Sequence, residues 1–99
     1  MASRLLRNDD AKAVRAAAMV QALAHPVRLR LLAALCEEGA PAALLADRLG
    51  LPRATVTRHL RALAGAGLVA HSGPPRQATW RVAEPAVHGL VACMEECSR

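Results

Sequence analysis

Cys93 and Cys97 stand four residues apart in the run Cys93-Met94-Glu95-Glu96-Cys97, and Cys36 is the one other thiol in the 99 residues. Residues i and i+4 of a helix share a face with Cβ atoms about 5–6 Å apart, near enough for two thiolates to hold one soft ion. With Cys36 as a third donor the set becomes a three-sulfur site for trivalent arsenic, antimony or another thiophilic metal ion, provided the helices that carry the thiols come close. The neighbouring acids Glu95 and Glu96 disfavour fast oxidation. Ion capture, in which the ion displaces the thiol protons, suffers less. The alternative is that all three are small core hydrophobes, since free cysteine is among the most buried residue types.

A second grouping is electrostatic. From Arg48 to Ala83 the chain carries six arginines (48, 53, 58, 61, 76 and 81) and no acid, whereas the remaining residues hold seven basic and eight acidic groups. The whole net charge of +5 therefore comes from one segment. An acid-free stretch of this length is the footprint expected where a polyanion docks. Arginine rather than lysine suits bidentate contact with phosphate and guanine. A merely solvated basic face is the competing reading.

The elements that must position these groups follow from periodicity and punctuation. Asp9 or Asp10 can cap a first helix to about Ala24, apolar nearly all round and so buried both by its own core and by a partner. Pro26 suits the first turn of a second helix that ends before Gly39, and Pro41 opens a third that exits at Gly50. A fourth, "RATVTRHLRALAGAG", places Val56, Leu60 and Leu63 at 4 and 3 spacing, and Gly65 and Gly67 stop it. "LVAHS" and "ATWRVA" read as short strands joined through "GPPRQ", and Glu84-Pro85 starts a last helix that runs to Ser98. The predicted fold is mainly α with one β-hairpin, in the order α-α-α-α-β-β-α, as a single domain.

Hydrophobic residues make up 54% of the chain but aromatics only 1%, so the core is built from Ala, Leu and Val, and a domain this small is expected to gain stability as a homodimer. No signal-like or membrane-spanning run is present, which predicts a cytoplasmic protein with reduced thiols. Catalytic constellations are missing too: there is no Ser/His/Asp or Cys/His order with supporting residues and no Gly-rich phosphate loop.

Residues 41–66 form a candidate helix-turn-helix, with the hairpin at 68–83 as a wing. On the fourth helix Val56, Leu60 and Leu63 point inward, while Ala54, Thr55, Thr57, Arg58 and Arg61 point outward, with Arg53 at the N-terminal end and His59 on the border. Small residues allow close approach to a groove and arginines reach base edges or phosphates. His59 is expected at the DNA interface, and Arg76 at the wing tip is placed for the minor groove or phosphate.

The segments "LAHPVRLRLLAAL" and "LLADRLGLPRATVTRHLRALAGAGLV", followed by a hairpin and final helix, resemble the ArsR/SmtB family of winged-helix repressors over roughly residues 14 to 97. The resemblance implies a homodimer joined by its first and last helices (10–24 and 84–98), which binds a palindromic operator in double-stranded DNA and is released by an inducer. Pro52 departs from the capping residue usual there, and "GPP" is an unusual wing tip. A family arsenic site at the start of the third helix is absent here, since that region reads Pro41-Ala42-Ala43-Leu44. Of a family metal site on the last helix only Glu84 and His88 remain, with Ala86 where a histidine would be expected. Some members sense reactive sulfur or oxidants by linking a cysteine of the second helix to one of the last, an arrangement that Cys36 with Cys93 or Cys97 resembles. The functional expectation is an inducible repressor. A thiol sensor of reactive sulfur and a constitutive DNA- or protein-binding module are the alternatives.

Overall fold

The computed structural model describes residues 5–97. After a short 3-10 turn at Leu6–Asn8, five helices and three strands follow: α1 (Asp10–Leu23), α2 (Pro26–Glu37), β1 (Ala40–Pro41), α3 (Ala42–Leu49), α4 (Arg53–Gly65), β2 (Val69–Ser72), β3 (Thr79–Val82) and α5 (Ala86–Cys97). The expected order of five helices with a hairpin before the last is present. Ser98, the expected end of the last helix, lies outside the described residues.

Local chemistry sets the ends of these helices. Asp9 caps α1 by accepting from the Lys12 backbone N–H at 2.9 Å. His25 caps α2 through its Nδ1, which accepts from Val27 N–H at 3.1 Å, and Pro26 fills the first turn, where a missing N–H has no cost. Gly50 closes α3 in the left-handed region at φ 67°, and the Leu51 N–H reaches back to the Ala46 carbonyl at 3.0 Å. That compact turn delivers the chain directly into α4.

The strand β1 corrects the reading of residues 40–41. Pro41 precedes α3 with extended backbone (φ −72°, ψ 155°) and pairs with Thr79, while Ala40 pairs with Trp80, so the sheet has three antiparallel strands in the order β1-β3-β2. A two-residue edge strand suits a proline, which has no N–H to give the ladder. Gly39 permits the approach, because a Cβ there would stand 3.0 Å from the Trp80 carbonyl oxygen. The last helix also begins later than expected: Glu84 stays ahead of it, and its carboxylate accepts from the Ala86 N–H at 3.4 Å.

The core lies where α2, α3, α4 and α5 meet the sheet. Leu31, Leu32 and Leu35 of α2, Leu45 of α3, Val56, Leu60 and Leu63 of α4, Trp80 of β3, and Val87 and Val91 of α5 are all buried there. Arg30 ties α2 to the end of α3 by donating to the Leu49 carbonyl at 2.9 Å. In contrast, α1 buries only Leu23, and its Val14 and Val20 are each 62% exposed. The radius of gyration is 14.6 Å, against about 13 Å for a compact chain of this length. Among the described residues no single helix is long and apolar enough to cross a membrane, and α1 and α2 meet at a 93° bend.

Candidate nucleic-acid interface

Helix α4 is built to show one face and bury the other. Val56, Leu60 and Leu63 have no exposed surface, so the stripe at 4 and 3 spacing is anchored in the core. The opposite face presents Arg53, Ala54, Arg58 and Arg61 in the open, with Thr55 and Thr57 half-buried beside them. Arg53, Ala54, Thr57, Arg58 and Arg61 surround an open hollow of about 510 Å³. A second hollow, of about 210 Å³, lies between α4 and the wing, with Arg53, Thr57 and Arg61 on one wall and His71, Arg76 and Trp80 on another. Arg53 and Arg61 of the helix and Arg76 of the wing therefore border one concavity, and Arg58 lines the hollow next to it. Every ionised side chain in that lining is cationic, since residues 48–83 contain no acid. Such a surface attracts phosphate, and the small side chains at 54, 55 and 57 leave room for base edges.

The wing adds residues that the sequence reading left out. His71 is directly opposite Trp80 across β2 and β3, with ring centroids 4.6 Å apart, and both line the hollow with Pro41 and Pro75. The cross-strand register is the signal that joins His71 to Trp80. It depends on the length of the tip, which residue types alone do not determine.

His59 is the clear correction. It is 6% exposed and faces inward, off the face that carries the arginines. The reason is register: position 59 is three after Val56 and four before Leu63, which keeps it on the buried stripe. Its Nδ1 accepts from Arg28 Nε at 3.1 Å, and its ring lies 4.4 Å from that of His25. Burial holds the His59 imidazole below its ordinary range, and the charges of His25, Arg28 and Arg58 add to that.

The three thiols are not brought together in one chain. Cys36 is half-buried at the end of α2, and burial pushes its thiol up from the usual value, with the Glu95 carboxylate adding to the effect. Cys93 and Cys97 are exposed on α5. That helix turns Val87 and Val91 inward, a four-residue stripe that continues to Glu95, so 93 and 97 fall on the far side. Among the described residues no three His, Cys, Asp or Glu side chains form a group that could hold a metal ion, which overturns the expected three-sulfur set within a protomer. Glu84 is half-buried at the foot of α5 and His88 is exposed one turn on.

Residues 23–72 match the helix-turn-helix domain family, from the last residue of α1 to the end of β2. The chain belongs to the helix-turn-helix family. This helix-turn-helix chain is 41% identical over 64 residues to the HTH-type transcriptional regulator CmtR of Mycobacterium bovis and of Mycobacterium tuberculosis, an overlap of 65% of the chain and 54% of the relative. It thus spans about half the length of the curated relatives it matches. Among solved structures, it is similar to the homodimeric winged helix-turn-helix DNA-binding domain Mb0332 from Mycobacterium bovis, a possible ArsR-family transcriptional regulator. The TM-score is 0.80 at 26% identity, covering 99% of this chain and 90% of that one. The transcriptional repressor BigR from Xylella fastidiosa gives a TM-score of 0.73 at 26% identity, over 89% and 87% of the two chains. The winged helix-turn-helix arrangement here is similar to that of these two regulators.

Proposed function

We propose that the chain is a homodimeric DNA-binding repressor of transcription, active in the cytoplasm, whose α4 enters the major groove of an operator half-site while Arg76 of the wing holds the flanking minor groove or phosphate. The observation that carries this reading is the acid-free concavity bordered jointly by Arg53 and Arg61 of α4 and Arg76 of the wing, with Arg58 in the adjoining hollow on the same helix face. The likeness to the DNA-binding domain Mb0332 supports it.

A second copy completes the reading. Helices α1 and α5 flank an apolar hollow of about 610 Å³ lined by Met19, Val20, Leu23, Val87 and Leu90. Pairing of two such faces would bury the exposed side of α1 and set two recognition helices for a palindromic site, one helical repeat of about 34 Å apart. The homodimeric state of Mb0332 supports that arrangement.

The inducer acts in this reading on Cys93 and Cys97, an exposed pair on the helix that also borders the dimer face. Trivalent arsenic or antimony would take both thiolates, and a ligand there would favour one dimer arrangement over another. Anisotropy of a labelled duplex, titrated with protein over a range of salt, tests the DNA reading: log affinity should fall steeply with log salt, by about 0.9 per phosphate neutralised. Affinity indifferent to salt would reject it. Release of the bound duplex by arsenite or antimonite, set against polysulfide, zinc and peroxide, tests the inducer class.

A further inference from the structure

Arg28, in the first turn of α2, bonds in two directions. Its Nε donates to His59 Nδ1 of α4 at 3.1 Å, and its Nη1 donates to the carbonyl oxygen of Ala22 in the last turn of α1 at 3.2 Å. The ring of His25, which caps α2, lies 4.4 Å from His59 at a tilt of 47°. One guanidinium thus joins three helices at the 93° bend between α1 and α2.

The chemistry of this junction is directional. A guanidinium has donors only, so the bond to His59 requires a bare Nδ1 and places the imidazole proton on Nε2. A core role alone would be met by leucine, as at the adjacent Leu60, without the cost of burying a polar ring. A proton on Nδ1 would set N–H against N–H and cation against cation. The charged and titratable groups that act on His59 are His25 from the α1–α2 junction, Arg28 from α2 and Arg58 from its own helix, and each is basic.

We infer that Arg28 is a positioning residue: it fixes the recognition helix to the end of α1 through His59 Nδ1, so that the angle at which α4 meets DNA follows α1 and is lost when His59 takes a proton. The inference rests on the DNA-binding reading above. It couples the helix at the proposed dimer face to the helix at the proposed DNA face through a single side chain. Its sign is distinctive. Positive charge added on the exposed surface tightens binding to phosphate, whereas protonation of the buried His59 should loosen it.

The test uses the full chain and a fluorescein-labelled duplex recovered by selection from a random-sequence library. As pH falls from about 8 through the lowered His59 value, the affinity of the unsubstituted protein should fall, by up to about tenfold for each pH unit below that value. His59→Asn, which offers an oxygen near the Nδ1 position and does not titrate, should bind with flat or rising affinity over that range. Arg28→Lys, which cannot span both acceptors, should bind more weakly at both ends. Affinity of the unsubstituted protein that holds or rises on acidification, or an equal fall in His59→Asn, would overturn the inference. NMR of the unsubstituted protein needs no variant: the amides of Ala22 and Leu23 on α1 and of Thr55 and Arg58 on α4 should shift with the same midpoint as the His59 ring. Independent midpoints would overturn it too. A chain that binds no duplex at about pH 8 would instead refute the DNA-binding reading, and the NMR midpoints would then decide the positioning role alone.

Discussion

His71 of β2 and Trp80 of β3 are a cross-strand pair whose rings sit 4.6 Å apart at a tilt of 49°, the histidine exposed and the tryptophan only 6% exposed. The pair divides two tasks between adjacent residues: Trp80 holds the sheet to the core and His71 faces the hollow beside the α4 arginines. Trp80→Ala should cost about 3–5 kcal/mol in urea unfolding, a large part of the stability of a domain this small. His71→Ala should leave unfolding nearly unchanged and lower duplex affinity a few-fold.

Arg58 is exposed on α4, where it lines the hollow of about 510 Å³. Arg58→Ala should remove specific operator binding, with a loss of about 1–3 kcal/mol if the side chain reads a base. Sedimentation should show the dimer intact. A footprint that survives the substitution would remove α4 from the groove.

The cysteines make a prediction that separates them. Cys97→Ser should keep DNA binding but lose release by arsenite, because the pair at 93 and 97 is broken. Cys36→Ser should keep both, since Cys36 is half-buried with Glu95 as its charged neighbour on α5. Loss of release in Cys36→Ser would restore a role for that thiol across the two helices.

Leu90 is 40% exposed and lines the apolar hollow between α1 and α5. Leu90→Glu should leave the protomer folded, because 40% of the residue is already open to solvent and a carboxylate there can reach water, and should shift the protein toward monomer in sedimentation. Duplex affinity should fall in step, since a single half-site contact cannot match two.

Stability should follow the protonation of His59. Its folded value is lowered, first by burial, so below the unfolded value of about 6.5 the unfolded chain binds more protons than the folded one. The stabilising contribution is whole above about pH 6.5 and is lost as pH falls from there toward the lowered folded value. Thermal melts of the unsubstituted protein should decline over that window. His59→Leu should decline less.

Much of this architecture is legible in the residues themselves. The stripe of Val56, Leu60 and Leu63 at helical spacing and the acid-free arginine segment identify a helix with one buried and one basic face, and both are found as expected. The strand Ala40–Pro41 escapes such reading because two residues carry no alternation and a proline suits a helix start equally well. It exists through its partner in β3, a tertiary cause. His59 fails differently. Its register, three after Val56, places it on the buried stripe, although its residue type suggests a DNA contact. For the thiols only the three-sulfur grouping within a protomer is missing, because it depends on how α2 and α5 pack. The second acceptor of Arg28, at the end of α1, depends on an interhelix angle that no local pattern encodes.

Because Ala40 and Pro41 pair with Trp80 and Thr79, the chain leading into α3 and the central strand β3 of the wing share one set of backbone bonds. The root of the wing is thereby braced to the reading head, while its tip, from Gly73 to Gln77, closes on itself through the Gln77 N–H to the Pro74 carbonyl at 2.9 Å. The tip is a replaceable nib on a rigid holder. Loops of other length or charge could be grafted there to retune contact with flanking sequence without disturbing the seat of the recognition helix.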